Sequence, residues 1–150
     1  MTAKIRRVCC ILLSIAVGGA VGLGAARAEP IAPDPNDAQL VARGKAVYEE
    51  QCARCHGSNL EGQPDWRHRL PIGRMPAPPH DPTGHTWHHS DKQLFDMTKD
   101  GPGALVPGYQ SDMPGFKDKL SDADIWAVLS YIESTWPPDI RAKQQRMTRP

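Results

Sequence analysis

Cys52-Ala53-Arg54-Cys55-His56 decides how the rest of this 150-residue chain is read. Two thiols three residues apart, followed at once by an imidazole, can each add to one vinyl group of a porphyrin while the imidazole turns onto its iron. The pattern predicts covalent haem attachment through Cys52 and Cys55, with His56 as an axial ligand. A thioredoxin-like redox pair has the same C-x-x-C spacing but belongs in a βαβ setting, and no strand-rich pattern flanks this stretch. Half of a zinc site needs a second Cys or His pair at ligand spacing. The other two cysteines, Cys9 and Cys10, lie in a segment with the marks of a leader.

That segment is residues 1–28. Lys4, Arg6 and Arg7 open it, an apolar run extends from Val8 to about Gly24, and Ala26-Arg27-Ala28 offers small residues for cleavage before Glu29. The pattern predicts an exported, periplasmic protein. An uncleaved anchor is the competing reading, because the apolar run is near the lower limit for crossing a bilayer. Four of the 18 basic residues and none of the 17 acidic ones fall in this leader, so the remainder is mildly acidic. Nothing in that balance suggests a nucleic-acid partner. With the leader removed, only Cys52 and Cys55 remain, and an oxidising compartment would pair them unless thioether bonds use both.

From the haem motif towards the amino end, a helix is expected from about Ala38 to Glu50, capped by Asn36 or Asp37. Leu40, Val41, Gly44, Val47 and Tyr48 give it one apolar stripe. Gly44 costs helix stability, which points to close approach of another helix. Residues 29–37 read as a mobile, proline-broken lead-in. Towards the carboxyl end, six prolines between residues 57 and 89 exclude regular helix over most of that stretch. A haem would give so long a loop an apolar surface to wrap, with Trp66, Leu70, Ile72 and Trp87 facing the porphyrin or the core. A second helix starts after Ser90, with Gln93 at capping-box spacing, and runs to about Lys99. A Gly/Pro-rich loop over 101–115 follows. The clearest helix comes last: Ser121 caps it, Asp122 and Asp124 suit its dipole, and Ile125, Val128, Leu129 and Ile132 form its stripe. Pro137 and Pro138 read as its terminators, and residues 137–150 as a frayed basic tail. Three helices and no strand pattern make the fold all-α.

Function turns on the iron's other axial position. Met113, in Ser111-Asp112-Met113-Pro114-Gly115-Phe116, sits in a stiff loop just before the final helix. Methionine with histidine favours ferrous iron and raises the potential. Met75, also before a proline, is its main rival; Met97 lies within a predicted helix and Met147 in the tail. His80, His85, His88 and His89, with His68 further back, would give a bis-histidine site of lower potential. The run His85-Thr86-Trp87-His88-His89 is also a candidate site for copper or zinc, although no Cys or carboxylate completes a recognisable set. His56 is expected to donate its other ring N–H to a backbone carbonyl of the proline-rich loop.

On these residues the chain resembles the class I cytochromes c, small mono-haem electron carriers of the bacterial periplasm. Cys52, Cys55 and His56 near one end and Met113-Pro114 before the last helix carry the resemblance. Gly44 and Tyr48 in the first helix, and Val128 and Tyr131 in the last, match the crossing terminal helices of that fold. The likeness covers about residues 38–136. It implies one haem c, His56 proximal and Met113 distal, single electrons passed between transient redox-protein partners, and no catalysis by the protein itself. Any membrane contact would come through partners or an uncleaved leader. The stretch from Pro79-His80-Asp81 to Thr86-Trp87-His88-His89-Ser90-Asp91 is similar to a subgroup of exported cytochromes c. The loop's richness in proline and histidine departs from the shortest members of the class. Two other functions compete: a penta-coordinate or bis-histidine haem acting as gas sensor or peroxidase, and a metal-handling protein using His85–His89.

Overall fold

The structure is a computed structural model that describes residues 31–149, so the leader lies outside the described residues. Helix α1 spans Ala38–Gln51, and the Asp37 carboxylate caps it by accepting from the backbone N–H groups of Gln39 and Leu40. A single turn, α2, covers Ala53–His56. A long irregular stretch then leads through a 3-10 turn at Thr86–His88 to α3, Asp91–Asp100. Ser90 and Gln93 cap α3 reciprocally, in the predicted capping box. A short α4, Pro102–Leu105, lies in the second Gly/Pro-rich loop. Helix α5, Asp122–Ser134, opens with a second capping box made by Ser121 and Asp124. Helix α6 covers Pro138–Thr148. Among the described residues there is no strand, and the fold is all-α.

The crossing of α1 and α5 is the centre of the fold. Gly44 lies against the backbone of Ala127, where a side chain would have no room, and Arg43 pairs with Asp124 beside it. Around the crossing, Tyr48, Leu60, Val128, Ile132 and Trp136 form one apolar cluster. Leu94 of α3 packs with Ile125 and Leu129 of α5 in a second, which Phe95, Met97 and Trp126 border. All four stripe residues of α5 are buried, each contributing roughly 1.5–3 kcal/mol by leaving water.

Two expectations are corrected. The tail is not frayed: Pro138 is the first residue of α6 rather than the end of α5, which stops at Ser134. A proline there loses no hydrogen bond, because the first helical N–H is unpaired in any case. Helix α6 is docked through Gln144, only 2 % exposed, which donates to the His89 carbonyl oxygen, the Asp91 carboxylate and the Thr148 hydroxyl. The lead-in is tied down where it is described, because the backbone N–H of Asp34 donates to Ser130 Oγ at 2.9 Å. Of the four loop residues expected to face the porphyrin or the core, Trp87 packs against the first cluster and Trp66 is half-buried, whereas Leu70 and Ile72 lie outside the protein core, Ile72 at 67 % exposure. They lie on a Pro/Gly-broken turn closed by bonds from the Leu70 N–H to the Arg74 carbonyl and from the Gly73 N–H to the Leu70 carbonyl.

Candidate functional site

Helix α1 delivers the first thiol. Cys52 closes it, with its N–H on the Tyr48 carbonyl, and the chain turns at once into α2. The N–H groups of Cys55 and His56 both reach the Cys52 carbonyl at 3.0 Å, so the three motif side chains project from one tight turn. Gly57 ends that turn at φ 81°, a left-handed conformation that side chains resist. The buried Tyr48 hydroxyl donates to the Gly57 carbonyl at 2.8 Å and fixes the exit. Both cysteines are free thiols, Cys52 partly buried and Cys55 exposed. Burial, helped by its neighbour Cys55, pushes the Cys52 thiol up to about 11.

His56 is 7 % exposed, and its Nδ1 lies 2.8 Å from the carbonyl oxygen of Pro78. A carbonyl only accepts, so Nδ1 carries the proton and Nε2 keeps its lone pair. Burial lowers the pKa of His56, against the opposing effect of the Pro78 bond, and so favours the neutral ring that a metal requires. The bond is to the proline-rich loop, as the sequence suggested.

Backbone bonds hold that loop in place. The His80 N–H reaches the Leu60 carbonyl, the Gln63 N–H the Ala77 carbonyl, and the Gly62 N–H the His56 carbonyl, at 2.7–2.9 Å. Gly62 sits at φ 69°, where a β-carbon would fall 2.5 Å from Pro79 N, so only glycine fits. Trp136, beyond α5, donates its indole N–H to the His80 carbonyl at 2.7 Å. The His80 ring stacks on the ring of His56, with centroids 4.0 Å apart and planes 25° apart. In the sequence His80 is a rival iron ligand and part of the stretch similar to a subgroup of exported cytochromes c; nothing local in it discloses this contact.

Met113 is partly buried, and its N–H donates to Ser111 Oγ at 3.1 Å. The segment after it is clamped on the end of α3: Phe116 and Lys117 donate to the Thr98 and Lys99 carbonyls at 3.0 Å. Gly115 lies so close to the Asp100 carbonyl group that a β-carbon would meet it at 2.7 Å. Met75 is also partly buried, and an ion pair between Arg74 and Asp112 joins the two methionine-bearing loops.

His85, His88 and His89 are engaged with aromatic rings. His85 stacks on Trp66 and meets His89 edge-on, and His88 stacks on Trp87 at 3.7 Å. Among the described residues, no three His, Cys, Asp or Glu side chains converge as a metal site. Among the described residues, the one metal-type donor set with a built second layer is therefore the C-x-x-C-H turn. It fits haem c: two unpaired thiols, and a neutral buried imidazole whose far nitrogen is already anchored.

Known proteins bear on this turn. The family profile described as Cytochrome c matches residues 41–136. Over 98 residues the chain is 31% identical to the cbb3-type cytochrome c oxidase subunit CcoP of Azospirillum brasilense, covering 65% of this chain and 29% of that protein. It is 31% identical over 109 residues to a thiosulfate dehydrogenase of Stutzerimonas stutzeri, covering 72% and 31%. The CcoP of Rhodobacter capsulatus is 29% identical over 106 residues, covering 69% and 32%. The chain thus spans about a third of the length of these curated relatives. No solved structure matches it significantly. Profile, helical fold and C-x-x-C-H turn agree: the chain belongs to the cytochrome c family and binds haem c covalently, with Cys52 and Cys55 at the attachment spacing.

Proposed function

We propose that this cytochrome c is a mono-haem carrier of single electrons between redox partners in the periplasm, with His56 and Met113 as its two iron ligands. The observation that carries the reading is the Nδ1–H bond from His56 to the Pro78 carbonyl, which leaves Nε2 as the donor nitrogen. Bound haem supplies one-electron ferric–ferrous chemistry. The chain's part is to hold the ligands still and keep polarity low. His56 is anchored through Pro78, Tyr48 fixes the turn through Gly57, and the Met113 loop is clamped on α3. Little in this frame needs to move on reduction, which suits outer-sphere transfer.

The choice of Met113 over its rivals rests on which side each side chain comes from. Met75 lies three residues before Pro78, on a segment stapled to residues 60–63 and so to the His56 side. His80 lies parallel to His56, also on that side. Met113 belongs to a separate loop, whose backbone is clamped on the end of α3 and which meets the Met75 segment through the exposed Arg74–Asp112 pair. With a thioether and an imidazole both in place, no iron position is left for peroxide or a gas.

The relatives favour a role among redox proteins: one is named as an oxidase subunit and another as a dehydrogenase. The second name supports a different reading, a domain working within an enzyme. Thiosulfate-dependent haem reduction by the purified protein would favour that reading over simple carriage. Export rests on the leader, and among the described residues no helix is long and apolar enough to cross a membrane.

Ferric absorption tests the ligation. The weak near-red band of sulfur-to-iron charge transfer should be present, vanish in Met113→Ala and survive in Met75→Ala. The reverse pattern would transfer the ligand role to Met75. A low-spin spectrum without the band would favour a histidine, and a high-spin spectrum that shifts with carbon monoxide would favour a sensor or peroxidase.

A further inference from the structure

We propose that His80 is a positioning residue for His56: its ring lies flat against the proximal imidazole and sets the plane in which Nε2 is presented to the haem iron. The inference rests on the reading of His56 as an iron ligand and adds a residue with no assigned role.

The argument starts from what the bond to Pro78 leaves undetermined. A single Nδ1–H···O=C bond tolerates a range of distance and angle, so the ring, hinged at Cβ–Cγ, can still tilt through small coupled changes in χ1 and χ2. A surface packed against the ring face narrows that freedom. His80 provides one, stacked at 4.0 Å between centroids and 25° between planes.

His80 is itself held on every side that matters. Its N–H is bonded to the Leu60 carbonyl at 2.8 Å, and its carbonyl accepts from the Trp136 indole at 2.7 Å. Its Nδ1 lies 2.8 Å from Thr86 Oγ1. That hydroxyl is buried and itself donates to the Pro79 carbonyl, so it accepts from His80 and defines the ring's orientation. Tyr48 meets His80 edge-on, closing another side. Thr86 lies in the 3-10 turn that α6 backs. The stack therefore joins the haem-attachment turn to the carboxyl-terminal part of the fold.

The plane of an axial imidazole decides how its π-orbital overlaps the iron d-orbitals, and hence how unpaired spin spreads over the porphyrin in the ferric state. Proton NMR of the ferric protein reads this directly, as the order and spread of the haem methyl resonances. A side chain that only fills space would alter stability and leave that pattern unchanged.

The experiment compares full-length, haem-loaded wild type with His80→Leu, His80→Phe and Thr86→Val. We expect His80→Leu to reorder the methyl resonances while the haem stays low-spin. His80→Phe, which keeps a flat ring, should retain the wild-type order. Thr86→Val removes the hydroxyl that orients His80 and should change the pattern in the same sense as Leu. It decides the matter if His80→Leu fails to take up haem. An unchanged pattern in His80→Leu, or in Thr86→Val where Leu does not load, overturns the inference. So does a Phe variant altered as much as Leu, since stacking would then not be the cause. His56→Ala keeps the two readings apart: low-spin haem surviving that change overturns the ligation itself, whereas its loss alongside unmoved His80 variants overturns only the positioning role.

Discussion

Gly44 of α1 and Ala127 of α5 meet backbone to backbone. A β-carbon on Gly44 would fall 2.5 Å from the Ala127 carbonyl carbon and 3.0 Å from Tyr131 Cβ. Neither obstacle is the end of a flexible side chain, so Gly44→Ala must separate the helices. The change gains up to about 1 kcal/mol of helix propensity but overpacks the crossing at a cost of about 3 kcal/mol or more. A net loss of at least about 2 kcal/mol is expected in urea unfolding of the haem protein. A gain in stability would mean that the helices do not touch here.

Gly44 was legible because a glycine within an apolar stripe has few other uses. The same local logic gave the α3 and α5 caps and the C-x-x-C-H turn, all set by residues within a few positions of each other. What the sequence did not disclose depends on distant partners. Pro138 looks the same whether it ends one helix or begins the next, and only the burial of Gln144 against Asp91, 53 residues away, decides that α6 forms and docks. Leu70 and Ile72 are apolar but sit on a locally closed turn outside the protein core, which composition cannot reveal. His80 read as one of several loop histidines because its stacking partner His56 lies 24 positions earlier in the chain.

Glu133 supplies a pH dependence. It is 6 % exposed on α5, and its Oε1 has no hydrogen-bond partner among the described residues. Burial, with the negative charge of Asp91 added and Arg141 of α6 partly opposing, raises its pKa from 4.5 to about 8. The unfolded chain releases this proton near 4.5 and the folded one near 8, so between those values the folded state holds more protons. Stability from this group is thus full below about pH 4.5 and falls as pH rises towards 8. Glu133→Gln, neutral throughout, should remove that slope and exceed wild type at pH 8 by on the order of 2 to 4 kcal/mol. Urea midpoints for both proteins at pH 5 and pH 8 test this. Parallel changes in the two proteins would show that Glu133 does not titrate in this window.

The pair Arg74–Asp112 leads to the last prediction. Both side chains are exposed, at 42% and 54%, so the pair should add no more than about 1 kcal/mol to global stability. Its position gives it a local effect out of proportion to that value. Arg74 is next to Met75 and Asp112 is next to Met113, so the pair ties the Met113 loop to a segment stapled to the His56 side. On the proposed ligation, Met113 leaves the iron when that loop opens, and added imidazole can then bind in its place. The apparent affinity for imidazole scales with the open fraction. Losing about 0.5 to 1 kcal/mol of local stability should raise that affinity roughly two- to fivefold. Asp112→Asn and Arg74→Gln should each do so, with urea midpoints almost unchanged. A double variant with the charges exchanged, Arg74→Asp with Asp112→Arg, should restore wild-type affinity. Equal imidazole affinity in wild type and both single variants would show that the pair does not restrain the Met113 loop. A rise that the exchange fails to reverse would assign the effect to the individual side chains rather than to their attraction.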